Sequence, residues 1–227
     1  MTQGGGPLLL VGASGLAAEV AECARRLGRE VVGCLDDDPS RVGEVLPGGV
    51  PVLGTTDGFT TFDVLSQSGP VEVVVTIGHG SVRCRVVTRL VASGVSADRF
   101  ATVVDPQTIL PPTTVVGQGT VLLAGVVVTA PVSIGDHVVV MPHVTLTHDV
   151  VVEDYATMAS GVGLGGGVRV RSEAYLGMGA AVRQGLTVGH GATLGMGATL
   201  LEDLPDGETW VGTPARRLRG PRTPVGA

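Results

Sequence analysis

What this chain lacks narrows it before anything it contains. Aromatic residues are scarce, with one Trp, two Tyr and three Phe in 227 residues. The interior must therefore be built from Val, Ala and Leu. Cysteine is scarce too. Cys23, Cys34 and Cys84 are an odd number without metal-ligand spacing and read as reduced, buried thiols. None follows Cys84, so the rest of the chain offers no thiol nucleophile. No run approaches the roughly 18 unbroken apolar residues of a membrane span. The start, with Gly4-Gly5-Gly6, lacks the charged opening and cleavage site of a signal peptide, so a cytoplasmic protein is expected. Positive charge is also short, and a net charge of −6 gives no general reason to expect nucleic acid.

What is present is a period of six. Val116, Leu122, Val128, Ile134, Val140, Leu146, Val152, Met158, Leu164, Val170, Leu176, Val182, Val188, Leu194 and Leu200 form one unbroken aliphatic column. Four places after most of them stands another small apolar residue, from Val126 and Val132 to Ala192 and Ala198. Neither a helix nor an alternating strand has this period. It is the mark of hexapeptide repeats winding a parallel β-helix. Three hexads make one triangular coil, so residues eighteen apart stack, and five coils at strand spacing rise roughly 24 Å. Glycines are expected at the corners, where positive φ is needed.

Ahead of the repeat lies a different pattern. Residues 7–11 read as a strand ending in Gly12-Ala13-Ser14-Gly15, then residues 16–27 as a helix, then residues 31–35 as a strand ending in Asp36-Asp37-Asp38-Pro39. This is the opening of a doubly wound α/β unit, whose turn presents backbone N–H groups as an anion site and whose acids stand where a ribose would be met. A strand at residues 50–53, a helix at 57–66 capped by Thr56, a strand at 71–77, a helix at 82–93 and a last strand at 100–104 complete it. The dinucleotide pattern is not met, because its second and third glycines are Ser14 and Ala17. A nucleotide or sugar nucleotide remains open, as does a bare strand–helix turn. The loops at residues 12–15, 36–37, 54–55 and 78–83 all fall at the carboxyl edge of the sheet, where open α/β sheets bind ligands.

Histidine is the usual base near neutral pH. His137 and His190 read as solvated corner residues. His143 and His148 lie on adjacent sides of one coil. His148 has Ala130 and Gly166 eighteen residues away, which predicts an open groove beside its ring, and Asp149 follows it. His143 is flanked in the same way by Gly125 and Gly161. Leu176-Gly177-Met178-Gly179-Ala180 recurs eighteen residues on as Leu194-Gly195-Met196-Gly197-Ala198. It makes a strip of little bulk that suits a long thin ligand arm, or else is a plain β-helix face. With no cysteine in reach, acyl transfer here would be direct attack by the acceptor with a His base.

The chain resembles the sugar acyltransferases of the sialic acid O-acetyltransferase and bacillosamine-pathway N-acetyltransferase type. The resemblance rests on Val11-Gly12-Ala13-Ser14-Gly15, Leu35-Asp36-Asp37, Ile77-Gly78 with Arg83, Val144-Thr145-Leu146-Thr147-His148-Asp149, and Val211-Gly212-Thr213-Pro214-Ala215-Arg216. It runs nearly end to end. It implies an α/β plus all-β fold: a small Rossmann-like nucleotide-sugar domain (residues 1–104), then a left-handed parallel β-helix (105–220) and a tail (221–227). It implies a homotrimer using acetyl-CoA, with no metal, nucleic acid or membrane. It implies His148 as general base tuned by Asp149. Gly12, Ala13, Ser14, Asp36, Asp37 and Gly78 would hold the nucleotide sugar, with His143 beside it. Thr157, Gly166, Met178, Met196, Arg216 and Arg217 would meet CoA, the arginines at its phosphates. The sequence departs from relatives at Leu16, where some carry His, at Thr157, where the bacillosamine enzyme has a His near the thioester, and at Met141 and Thr147, which replace polar residues. A hexapeptide transferase acting on a non-sugar amine is one competing reading. A non-catalytic or metal-binding β-helix trimer, drawing on His137, His143 and His148, is another.

Overall fold

A computed structural model describes residues 5–58 and 71–218 of the chain. The first part is α/β. Strand β1 (Leu8–Val11) is apolar and fully buried, as a central parallel strand covered on both faces must be. It leads into α1 (Gly15–Arg26), whose buried Leu16, Val20, Cys23 and Ala24 recur at helical spacing. Ser14 caps α1, its hydroxyl accepting from the Leu16 N–H at 3.2 Å. Then come β2 (Val31–Leu35), β3 (Val45–Leu46), β4 (Val50–Gly54), β5 (Glu72–Val75) and α2 (Gly80–Ala92). The sheet order is β3-β4-β2-β1-β5, parallel except for the β3–β4 edge pair. Strand order reverses beside β1, which leaves a crevice at the carboxyl edge between β1 and β5.

Two expectations shift here. The strand expected at residues 100–104 does not join this sheet as a unit. Phe100 makes a single bridge to Val73, whereas Val103 and Val104 pair with Val121 and Leu122. That offset is the eighteen residues of one coil, so the segment belongs to the β-helix frame and not to the α/β sheet. The helix expected at residues 57–66 starts as a 3₁₀ turn, Thr56–Gly58. Residues 59–66 of that expectation and the tail expected at 221–227 lie outside the described residues.

The second part is a left-handed parallel β-helix. Its two-residue strands pair at offsets of eighteen to form three faces. The Ser133 face stacks Val115, Ser133, Val151, Arg169 and Thr187. The Thr157 face stacks Val121, Val139, Thr157, Tyr175 and Thr193. The Thr145 face stacks Val127, Thr145, Gly163, Ala181 and Thr199. The aliphatic column fills the interior with its partners four places on, and Trp210 packs against its far end. Corner residues do adopt positive φ, but glycine is not universal. His137, His143, Asp149, Tyr155 and Glu173 sit there at φ of 53° to 62°. Stacked pairing on both sides compels a conformation that L residues ordinarily avoid.

The α/β unit covers the Thr157 face. Leu10, Leu16, Ala17 and Val20 share one buried cluster with Val121, Leu123 and Val139. Arg83, at 1% exposure, rivets the junction. It donates to the carbonyls of Ile77 and Gly78 in its own unit, and across the junction to those of His137 (2.7 Å), Tyr155 (2.7 Å) and Ala156 (3.1 Å) and to Thr157 Oγ1 (3.0 Å). Burial pulls its pKa down to about 10, still well above neutral pH. At Gly80 an added Cβ would stand 2.2 Å from the Tyr155 carbonyl, so only glycine lets α2 approach so closely.

Candidate active site

Two assemblies carry chemistry. One is a cavity of about 460 Å³ at the carboxyl edge of the α/β sheet, within the range of small-molecule sites. Gly12, Ala13, Ser14, Asp36, Asp37 and Gly78, the residues expected to hold the nucleotide sugar, all line it. Their local bonds explain the shape. Asp36 accepts from the Ala13 N–H (2.7 Å) and the Asp38 N–H (3.0 Å), tying the end of β2 to the turn after β1. Ser14 Oγ donates to the Thr76 carbonyl (2.8 Å). Asp37 accepts from Arg89 Nη2 (2.5 Å) and from the Thr56 hydroxyl. Partial burial raises the Asp37 pKa, but these two bonds outweigh it and hold the carboxyl below its ordinary value.

His79 and Val82 fall in the 78–83 loop expected at this edge, whereas sequence reasoning did not single out Arg41, Thr56, Ile77 or Val86 as lining; Val11 completes it. Val82 and Val86 follow from the apolar spacing of α2. Arg41 carried no signal, because only the folded loop brings it over the Gly12 turn, where it donates to the Ala13 carbonyl. His79 stacks on Tyr175 of the β-helix, with ring centroids 5.5 Å apart.

The other assembly is the corner between the Thr145 and Ser133 faces. There His148 Nδ1 lies 2.8 Å from Asp149 Oδ2, and both side chains are exposed. The backbone turn at Asp149, φ 61°, swings its carboxylate back to the preceding ring. A carboxylate on Nδ1 favours the tautomer that leaves Nε2 as an acceptor. The imidazole lies against Gly166, where an added Cβ would stand 2.3 Å from Cε1 and 2.4 Å from Nε2. His143, at the corner between the Thr157 and Thr145 faces, leans the other way, onto Gly125.

The remaining expected contacts are scattered. Met178 and Met196 are exposed at the His143 corner. Arg216 and Arg217, exposed near the C-terminal end, pair with Glu202 (3.0 Å) and Glu208 (3.3 Å). Thr157 is a correction. Its side chain is 0% exposed, and its hydroxyl donates to the Gly78 carbonyl (2.7 Å) while accepting from Arg83. As folded it cannot touch CoA, because the junction with the α/β unit has buried it. His137 is a second correction, a corner residue buried rather than solvated. It stacks on Tyr155 at 5.2 Å and meets Phe100 edge-on, its Nδ1 has no hydrogen-bond partner among the described residues, and burial pushes its pKa down to about 4. His137, His143 and His148 occupy the three different corners of one coil, so they cannot converge on a metal within one chain. Among the described residues no group of three His, Cys, Asp or Glu is placed to hold one.

Comparison with known proteins gives a consistent setting. Residues 7–90 match the family described as PglD N-terminal domain, and residues 131–166 match bacterial transferase hexapeptide (six repeats). A sequence comparison with curated proteins finds no match. Among solved structures, the acetyltransferase domain of PglB from Neisseria gonorrhoeae FA1090 superposes with a TM-score of 0.82 at 31% identity, over 94% of this chain and 100% of that one. A histidine-to-asparagine mutant of perosamine N-acetyltransferase from Caulobacter crescentus, in complex with CoA and GDP-perosamine, gives 0.85 at 28% identity, over 95% and 98%. WeeI from Acinetobacter baumannii AYE gives 0.81 at 28% identity, over 94% and 100%.

Proposed function

The chain belongs to the hexapeptide-repeat acetyltransferases that carry a PglD-type N-terminal domain, and from that premise we propose that it moves the acetyl group of acetyl-CoA onto an amino group, or a hydroxyl, of a nucleotide-linked sugar. The observation that carries this reading is the His148–Asp149 pair at 2.8 Å on an exposed corner. His148 Nε2 takes the proton from the acceptor as its nitrogen or oxygen attacks the thioester carbonyl. Asp149 holds the ring and stabilises the imidazolium that forms. The tetrahedral intermediate then collapses, breaking the C–S bond, and the imidazolium returns the proton to the departing CoA sulfur. No acyl-enzyme is needed, in keeping with the lack of cysteine beyond Cys84.

The acceptor is held in the α/β cavity by Gly12, Ala13, Ser14, Asp36, Asp37 and Gly78, with His143 nearer the reacting end. CoA lies along the corner grooves with Gly166, Met178 and Met196 against its arm and Arg216 and Arg217 at its phosphates. The working division is residues 1–104 for acceptor binding and 105–220 for transfer. A homotrimer completes the site. The α/β unit covers the Thr157 face and His148 stands at the opposite corner, so a chain's cavity and its own base face away from each other. A neighbouring copy brings a second corner against the first. The setting is cytoplasmic, where acetyl-CoA is made, and no helix among the described residues is long and apolar enough to cross a membrane. His148→Ala should lower kcat by roughly 10² to 10⁴, with product followed by mass spectrometry over a panel of nucleotide amino sugars. Full turnover in that variant refutes the assignment.

A further inference from the structure

Resting on the acceptor reading above, we propose that Arg41 is the residue that binds the diphosphate of the nucleotide sugar, which makes a nucleoside diphosphate the recognised half of the acceptor. The cavity shows a charge problem and its solution. Its charged lining side chains are Asp36, Asp37 and Arg41. A diphosphate entering beside two carboxylates is repelled unless cations offset them, and here Arg89 stands against Asp37 and Arg41 against Asp36.

Both are engaged. Asp36 spends one oxygen on the Ala13 N–H and the other on the Asp38 N–H. Asp37 is bridged to Arg89 at 2.5 Å and takes the Thr56 hydroxyl as well. Arg41 lines the cavity between two carboxylates, Glu44 and Asp36, that hold it in place without using all its donors. Its Nε donates to Glu44 at 2.9 Å and its Nη1 to the Ala13 carbonyl, while Asp36 stands 3.8 Å away. Its Nη2 has no hydrogen-bond partner among the described residues. The guanidinium is thus fixed against the Ala13 carbonyl, in the turn that precedes α1, with Nη2 left to donate. A planar fork held on one side presents its other donors to phosphate oxygens in a set direction, and little side-chain entropy remains to be lost on binding.

The test is calorimetric titration of the full chain with matched pairs, uridine and UDP, thymidine and dTDP, guanosine and GDP. The expected result is that one diphosphate binds the wild type at least tenfold more tightly than its nucleoside. Arg41→Ala should raise the Kd for that diphosphate on the order of tenfold to a hundredfold, as losing a charge-assisted bond to phosphate does, and leave the nucleoside Kd unchanged. Arg41→Lys should recover part of the loss. If wild type binds a diphosphate and Arg41→Ala binds it equally well, the assignment of Arg41 is overturned while the acceptor reading stands. A lysine variant no better than alanine overturns the charge argument. If wild type binds no diphosphate and no nucleotide sugar, both fall together.

Discussion

Gly166 is the seat of the proposed base, and replacing it by Ala tests the whole corner. The Gly166 backbone does not lie in the left-handed region, so Ala is acceptable to the chain there. The added Cβ, however, would meet His148 at 2.3 Å, whereas ordinary contact begins near 3.4 Å. The ring must retreat by about 1 Å. It is exposed and can do so at little cost to folding, yet the retreat disturbs the 2.8 Å bond to Asp149 and re-aims Nε2. A misplacement of about 1 Å at a reacting group costs on the order of 10- to 100-fold in rate. That corresponds to about 1.4–2.7 kcal/mol of barrier. The stability of Gly166→Ala should be unchanged or slightly raised, by about 0.4–1 kcal/mol, from the stiffer unfolded chain. Gly167→Ala is the counterpart. There φ is +67° and a Cβ would only just touch Gly185, so the variant should lose roughly 1–2 kcal/mol of stability and keep its kcat. Steady-state kinetics and thermal melts on the two variants give opposite signatures. If Gly166→Ala keeps kcat and changes only the KM for acetyl-CoA, Gly166 serves the donor arm alone and the ring-seat reasoning is wrong.

Two other perturbations probe the junction. Thr157→Val removes the hydroxyl that clamps the Gly78 carbonyl to Arg83, and should cost about 1–3 kcal/mol of stability in a denaturant melt. In kinetics it should lower kcat/KM for the acceptor, because Gly78 lines the cavity, and leave the acetyl-CoA KM alone; a rise confined to the latter would return Thr157 to the donor side. His137 titrates near 4 in the folded chain against 6.5 when unfolded. Between those values the unfolded chain binds a proton that the folded chain does not, so stability should fall by about 2–3 kcal/mol as pH drops from 6.5 to 4. His137→Asn, which tolerates the positive φ, should flatten that decline, and an unchanged slope in melts across the window would show that other groups set it.

Much of this protein is legible from local pattern. The hexad period specifies coil, core column and the eighteen-residue register, because each residue's role depends only on its place in a repeat and on identical neighbours above and below. The same frame puts His148 and Asp149 on one corner, and the strand–turn–helix pattern ahead of it puts the glycines of the α/β turns at one sheet edge. Arg41 and Thr56 were not legible, since they reach the cavity through a loop whose path depends on Asp36 and Asp37.

Residues 116–200 alone therefore determined the β-helix, and residues 7–39 the glycine turn and the acids of the carboxyl-edge cavity. The tertiary structure decided which face of the prism the α/β unit covers. That choice buried His137 and Thr157, turned Arg83 into a rivet instead of a surface charge, and left His148 at the corner facing away from its own cavity. The physical reason is range. A repeat encodes neighbours eighteen residues away, whereas Arg83 meets Thr157 seventy-four residues on, through a contact that exists only once two independently patterned units have packed.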